Sequence, residues 1–96
     1  MTVAGFQELI KRIYFKRDSE RGLAGTYMWF TEEVGELSRA LLLNDISKAR
    51  EEFADVAAWL VSLATIAGVD MQEAIQKYKD GCPKCAQIPC QCSERG

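Results

Sequence analysis

The chain has 96 residues, 48% of them hydrophobic and 27% charged, a balance typical of a single globular domain. Its net charge of −2 and pI of about 5.1 argue against DNA or RNA as a partner, because nucleic-acid binding usually needs a basic face. The N-terminus lacks a signal-peptide core, and no apolar run approaches the roughly 18 residues of a membrane span. We therefore expect a cytoplasmic protein with no membrane partner.

Hydrophobic periodicity predicts a first helix over residues 3–16, where apolar side chains recur at helical spacing. Residues 17–22 are polar and end in glycine, so we expect a loop there. The clearest basic cluster of the chain begins in the first predicted helix and continues into this loop. The cluster is too small for a nucleic-acid interface but large enough to hold one polyphosphate, and it consists of Lys11, Arg12, Lys16, Arg17 and Arg21.

Three more helices are predicted from helix start and stop signals. The second covers residues 23–43, and the third covers residues 46–67 with Asp45 as its N-cap. Asp70 has the capping-box spacing and predicts a fourth helix that ends near residue 79. No segment alternates with a period of two, so the predicted fold class is all-α.

Two acidic blocks share the form acid-acid-x-x-acid, one over residues 32–36 and one over residues 51–55. On a helical wheel at about 100° per residue, the second and last acids of each block lie at the edge of the apolar stripe. Packing the two stripes together would therefore bring together Glu33, Glu36, Glu52 and Asp55. Clustered carboxylates repel one another unless a cation lies between them, and their oxygen atoms suit Mg²⁺, with Mn²⁺ as an alternative.

A solvated helix face and a di-iron site are the other interpretations of the acids. A single acidic block is more often a solvated helix face with a partner such as Lys48. Two blocks in phase with the apolar stripe favour a site instead. A di-iron carboxylate bundle would use Glu-x-x-His, and the chain has no histidine.

The acidic blocks resemble the signature of MazG-type nucleotide pyrophosphohydrolases, Glu-Glu-x-x-Glu followed after a spacer by Glu-x-x-Asp. The matching positions are residues 32–36 and 52–55, and the resemblance extends over roughly residues 3–80. It implies a four-helix MazG-like bundle completed by oligomerisation, as a homodimer or homotetramer. It also implies hydrolysis of a nucleoside triphosphate to a monophosphate and pyrophosphate.

By position, the resemblance implies that Mg²⁺ is bound by Glu33, Glu36, Glu52 and Asp55. Glu32 or Glu36 is the expected catalytic carboxylate that accepts a proton from water. All-α dUTPases and phosphoribosyl-ATP pyrophosphohydrolases share the fold and acid pattern, so these substrates stay open. The other alternative is a non-catalytic helical adaptor or binding module with a zinc knuckle.

Substrate contacts are predicted from charge and position. The cations expected to hold phosphates are Lys16, Arg17, Arg21, Lys77 and Lys79. Trp29 lies on the acidic side of its helix and could stack on a nucleobase. We expect Trp59 in the core or at an interface instead.

The four cysteines lie in a short tail, residues 81–96, which is separate from the predicted catalytic domain over residues 1–80. The spacing is Cys-x-x-Cys followed by Cys-x-Cys, and the residues are Cys82, Cys85, Cys90 and Cys92. In a reducing cytosol this pattern favours structural zinc over disulfides. The short loop between the pairs leaves an Fe–S centre, a redox pair or a disordered tail as alternatives.

Overall fold

The computed structural model describes residues 1–95. Within this range there are three α-helices, α1 (Val3–Leu42), α2 (Ile46–Ile66) and α3 (Met71–Ala74), followed by a 3₁₀ helix over Ile75–Tyr78. No strand occurs among the described residues, and the predicted all-α class is confirmed.

Helix α1 contains both of the first two predicted helices and bends at Gly22. This residue has φ 83° and ψ 174°, a conformation that is essentially restricted to glycine, and it divides α1 into limbs over residues 3–21 and 23–42. The predicted loop over residues 17–22 is wrong, because the first limb continues through Arg21. An ion pair of 2.9 Å joins Arg21 to Asp18 one turn earlier, and Asp18 is buried. The polar run is therefore part of the packed helix.

The predicted ends of the later helices agree more closely with the structure. The Asp45 side chain accepts a hydrogen bond from the Lys48 N–H at 3.1 Å, which confirms Asp45 as the N-cap of α2. Asp70 accepts from the Glu73 N–H at 3.2 Å and caps α3 in the same way. The fourth predicted helix forms as four α-helical residues followed by four residues of 3₁₀ helix.

Both limbs of α1 pack on α2, and the core between them is small. The buried hydrophobic residues are mainly alanines and short aliphatic residues: Ile10, Ala40, Ala49, Val61 and Ala64. Several large apolar side chains are exposed instead, including Leu23, Tyr27 and Leu60, which line an open apolar depression of about 530 Å³ between α1 and α2. The chain by itself thus leaves much of its apolar surface uncovered.

Length and apolar character decide whether a helix within residues 1–95 could cross a membrane. No single helix in this part of the chain is both long and apolar enough to cross a bilayer. The pair formed by Ile46–Ile66 and Met71–Tyr78, bent by 100°, meets the requirement by length and composition only.

Candidate functional site

Three carboxylates converge where the second limb of α1 packs on α2. Glu33 comes from α1, whereas Glu52 and Asp55 lie three residues apart on α2 and therefore share one helix face. Each contributes an oxygen to a group whose members all lie within 4.8 Å of one another. We call these three residues the carboxylate group.

Glu36 does not belong to this group. It is exposed and lies one turn beyond Glu33, towards the connection between α1 and α2. There it lines a small pocket together with Lys48. The negative charge of Glu36 still acts on the carboxylate group, because it contributes to the raised pKa of Glu33.

Glu52 is the most buried member of the group, with 4% of its surface exposed. One oxygen, Oε1, lies 3.2 Å from Lys48 Nζ. The other, Oε2, is buried and, with Glu33 ionised, receives no hydrogen bond from the described residues. The hydrogen bond to Glu52, together with its negative charge, raises the pKa of Lys48. A buried carboxylate oxygen without a partner is costly, and a cation at this point would remove the cost.

Glu33 is strongly perturbed by its surroundings. Burial, followed by a hydrogen bond with Glu52 and the charges of Glu52, Asp55 and Glu36, raises the pKa of Glu33 to about 7. The protonated form of Glu33 therefore persists to a higher pH than in a free glutamate side chain. A bound cation would take the place of that proton and relieve the repulsion.

A pocket of about 240 Å³ opens beside Asp55, between the first limb of α1 and α2. Its lining combines an aromatic face, two cations and buried polar groups, and includes Arg17, Asp18, Arg21, Asp55, Trp59 and Ser62. Asp18 is 4% exposed and Ser62 is 5% exposed. A pocket lined by apolar side chains and a few polar groups is typical of a small-molecule site, because the polar groups fix the orientation of the ligand.

Arg21 organises one wall of this pocket. Its Nη1 donates to Asp18 Oδ1 at 2.9 Å and to Thr26 Oγ1 at 3.3 Å. Its guanidinium carbon lies 5.0 Å from the ring centroid of Trp59, within the range of a cation–π interaction. Trp59 in turn stacks on Trp29, with ring centroids 6.2 Å apart and planes 11° apart. The indole of Trp59 therefore contacts both Arg21 and Trp29 at the edge of the pocket.

A family model, the MazG nucleotide pyrophosphohydrolase domain, matches residues 22–86, more than half of the chain. The chain belongs to this family. The matched segment contains all three members of the carboxylate group. A comparison with curated proteins gives no match. Family membership supports a nucleotide pyrophosphohydrolase role in general and confirms the resemblance seen in the acidic blocks.

Only some of the predicted substrate residues lie beside the carboxylate group of the MazG domain. Arg17 and Arg21 line the Asp55 pocket, and Trp29 supports Trp59 behind it. The other three predicted cations do not line this pocket: Lys16 is exposed on α1, Lys77 lies over the ring of Tyr78, and Lys79 follows the 3₁₀ helix. Glu32 is exposed and lies outside the carboxylate group.

Five residues that line the pocket are not among the site residues predicted from the sequence: Tyr14, Asp18, Ala58, Trp59 and Ser62. The sequence places Asp18 in a predicted loop and Trp59 in the core or at an interface, and it gives no role to Ser62. A signal existed for Trp59, because a helical wheel places it close to Glu52 on the acidic side of α2. Asp18 and Ser62 carry no such signal, since each is a single polar residue that only tertiary packing buries.

The four cysteines of the tail also converge, at a point outside the carboxylate group. Their Sγ atoms all lie within 4.8 Å of one another, and all four thiols are free. Backbone hydrogen bonds, chiefly from Gln91, lower the pKa of Cys85 to about 6. Hydrogen bonds with Cys90, Cys85 and Cys82 raise the pKa of Cys92 to about 12. This arrangement, like the carboxylate group, could hold a metal ion.

Proposed function

We propose that the protein is a Mg²⁺-dependent pyrophosphohydrolase that converts a nucleoside triphosphate to a monophosphate and pyrophosphate. The observation that carries this proposal is the carboxylate group, with its unpartnered Glu52 oxygen, in a chain of the MazG family. Its substrate is expected in the cytoplasmic nucleotide pool.

The carboxylate group suits Mg²⁺ for three reasons. Its donors are all oxygen atoms, the buried Glu52 Oε2 has no hydrogen-bond partner among residues 1–95, and the raised pKa of Glu33 means that its negative charge is unfavourable there without a cation. Glu33, Glu52 and Asp55 would hold the ion, with Glu36 as a fourth ligand, and Mn²⁺ is the alternative metal. When bound, the ion supplies neutralisation of phosphate charge and a lowered pKa for a coordinated water.

The proton of the attacking water needs an acceptor among the residues beside the metal. Glu36 is better placed than Glu32, because Glu36 acts electrostatically on Glu33 and lies one turn along the same helix. We therefore propose Glu36 as the general base, through the carboxylate oxygen that does not bind the ion, with Glu32 as an accessory acid. The chain has no histidine, which excludes the commonest side-chain base and leaves a carboxylate for this role.

The Asp55 pocket is the proposed site for the nucleoside. Trp59 offers an aromatic face for a base, and the buried Asp18 and Ser62 offer an acceptor and a hydroxyl to its polar edge. Arg17 lines the same pocket and carries a charge suited to a phosphate. Because Asp55 belongs to both pocket and carboxylate group, a nucleotide bound here would have its phosphates close to the metal.

We also propose that the working unit is a homodimer or homotetramer. The buried core consists largely of small residues, while Leu23, Tyr27 and Leu60 are 51%, 56% and 41% exposed around one apolar depression. A domain of this size gains stability by covering such a face. A second copy of the chain would bury it.

The proposal is tested by measuring pyrophosphate release from a panel of nucleoside triphosphates that includes dUTP, with phosphoribosyl-ATP as a further substrate. Activity is expected with Mg²⁺, and Asp55→Asn should reduce it by at least 100-fold, on the order of the loss of one charge-stabilising group. Glu51→Gln is the matched control, because Glu51 is an exposed acid on the same helix outside the carboxylate group. Failure of every substrate, or full activity in Asp55→Asn, would count against the proposal.

A further inference from the structure

The distances between the cysteine sulfurs match those of a four-coordinate metal site. The Sγ atom of Cys82 lies 3.8 Å from that of Cys92 and 3.6 Å from that of Cys90, and 4.0 Å separates the Sγ atoms of Cys85 and Cys90. Four thiolates at about 2.3 Å from a tetrahedral zinc ion would be separated by about 3.8 Å. A disulfide requires about 2.05 Å. The observed spacing is therefore that of ligands around an ion.

The backbone of the tail is folded around the four sulfurs. Ala86 N–H donates to Cys82 O at 2.7 Å and Cys82 N–H donates to Gln87 O at 3.1 Å, which closes the loop that carries the first pair. Gly81 makes this closure possible, because it has a φ of 108° and a Cβ there would lie 2.9 Å from Ile88 Cγ1. A larger residue at position 81 would be strained and would collide with the loop.

Backbone N–H groups also point at the sulfurs. Gln91 N–H donates to Cys85 Sγ at 3.4 Å, and Cys92 N–H donates to Cys90 Sγ at 3.3 Å. Donors directed at sulfur stabilise the ionised thiolate, the form that binds metal. The ligand positions are therefore supported by the surrounding chain, as expected of a metal site with an ordered outer shell.

We propose that residues 81–92 form a self-contained structural zinc centre whose four ligands are Cys82, Cys85, Cys90 and Cys92. Four protein ligands close the coordination sphere of zinc, so the centre has no open position for a substrate. The centre also extends beyond the family match, which ends at residue 86 between the two cysteine pairs. Because it contains no member of the carboxylate group, it does not depend on the proposed hydrolytic activity.

The first test is metal analysis of the full-length protein purified under reducing conditions without chelator. We expect about one zinc per chain, and replacement of zinc by Co²⁺ should give the visible absorption bands of a tetrahedral thiolate site. The double substitution Cys90→Ser, Cys92→Ser should reduce bound zinc to background. Ser93→Ala is the matched control, because Ser93 adjoins the last ligand without being one, and it should retain zinc.

A second test measures the rate of proteolytic cleavage in the tail of the wild-type protein, so it does not require the double variant to fold. Trypsin can cleave after Lys84, inside the loop between Cys82 and Cys85. Cleavage there should be slow in the metal-loaded protein and should accelerate at least tenfold when zinc is removed, while adding zinc back should restore protection. Iron in place of zinc, absence of bound metal, or equal cleavage rates with and without zinc would each overturn the proposal.

Discussion

Replacing Glu33 by glutamine should stabilise the metal-free protein at alkaline pH. The surroundings raise the pKa of this carboxyl from 4.5 to about 7, so ionised Glu33 is unfavourable in the folded state. Because the folded pKa lies above the unfolded one, stability is fully present below about pH 4.5 and is lost as pH rises through 7. Glutamine cannot ionise and should not show this loss.

The pKa shift sets the size of the effect. At about 1.4 kcal/mol per pKa unit, the full shift would correspond to about 3 kcal/mol. Solvent screens the partly exposed carboxylate, so we expect about 1–2 kcal/mol at pH 8. For a domain of this length that amounts to a rise in Tm of about 4–15 °C.

Thermal melts of both proteins without added Mg²⁺, at pH 5 and pH 8 and one protein concentration, would measure this gain. The wild-type protein should lose stability between the two pH values, and the variant should lose about 1–2 kcal/mol less. Glu51→Gln, the same change at an exposed neighbour of Glu52, should behave like wild type. Added Mg²⁺ should stabilise the wild-type protein and have little effect on Glu33→Gln. Parallel pH profiles for wild type and Glu33→Gln would refute the reasoning.

Three further predictions concern the pocket, the assembly and the tail. Trp59→Ala should raise KM about 10-fold or more with a smaller change in kcat, because it removes about 1–3 kcal/mol of base stacking; an unchanged KM would argue that the base binds elsewhere. Leu60→Arg should lower the molar mass measured by light scattering from that of an oligomer towards the 10.8 kDa of one chain. A wild-type protein that is already monomeric would contradict the proposed oligomer. Deleting the residues after Asp80 should leave most of the hydrolytic activity intact, as measured by kinetics of the truncated protein. If turnover were lost while circular dichroism showed unchanged helix content, the tail would belong to the active site.

The convergence of Glu33, Glu52 and Asp55 could be predicted because helical phase places all three at the facing edges of two apolar stripes. Each residue lies at the edge of an apolar stripe, and packing two stripes fixes which edges meet. Helical phase gives the direction of a side chain around its helix axis, but it does not give the position of the residue along the axis relative to the other helix. Glu36 shares the phase of Asp55 but lies nearer the connection between the helices, where it lines a pocket with Lys48.

The first limb of α1 was harder to predict because its ends depend on tertiary packing. Polar residues before a glycine usually mark a loop. Here Asp18 is buried and paired with Arg21, so the helix continues and only Gly22 leaves helical geometry. The capped starts of α2 and α3 depend on local side-chain contacts instead, and the sequence was sufficient to place both.

The most direct test of the proposed reaction is to run it in water enriched in the heavy isotope of oxygen and to locate the label by mass spectrometry. Attack on the α-phosphate, close to the carboxylate group, predicts a labelled monophosphate, unlabelled pyrophosphate and a requirement for Mg²⁺. A label in pyrophosphate, or a nucleoside diphosphate and orthophosphate as products, would contradict the account.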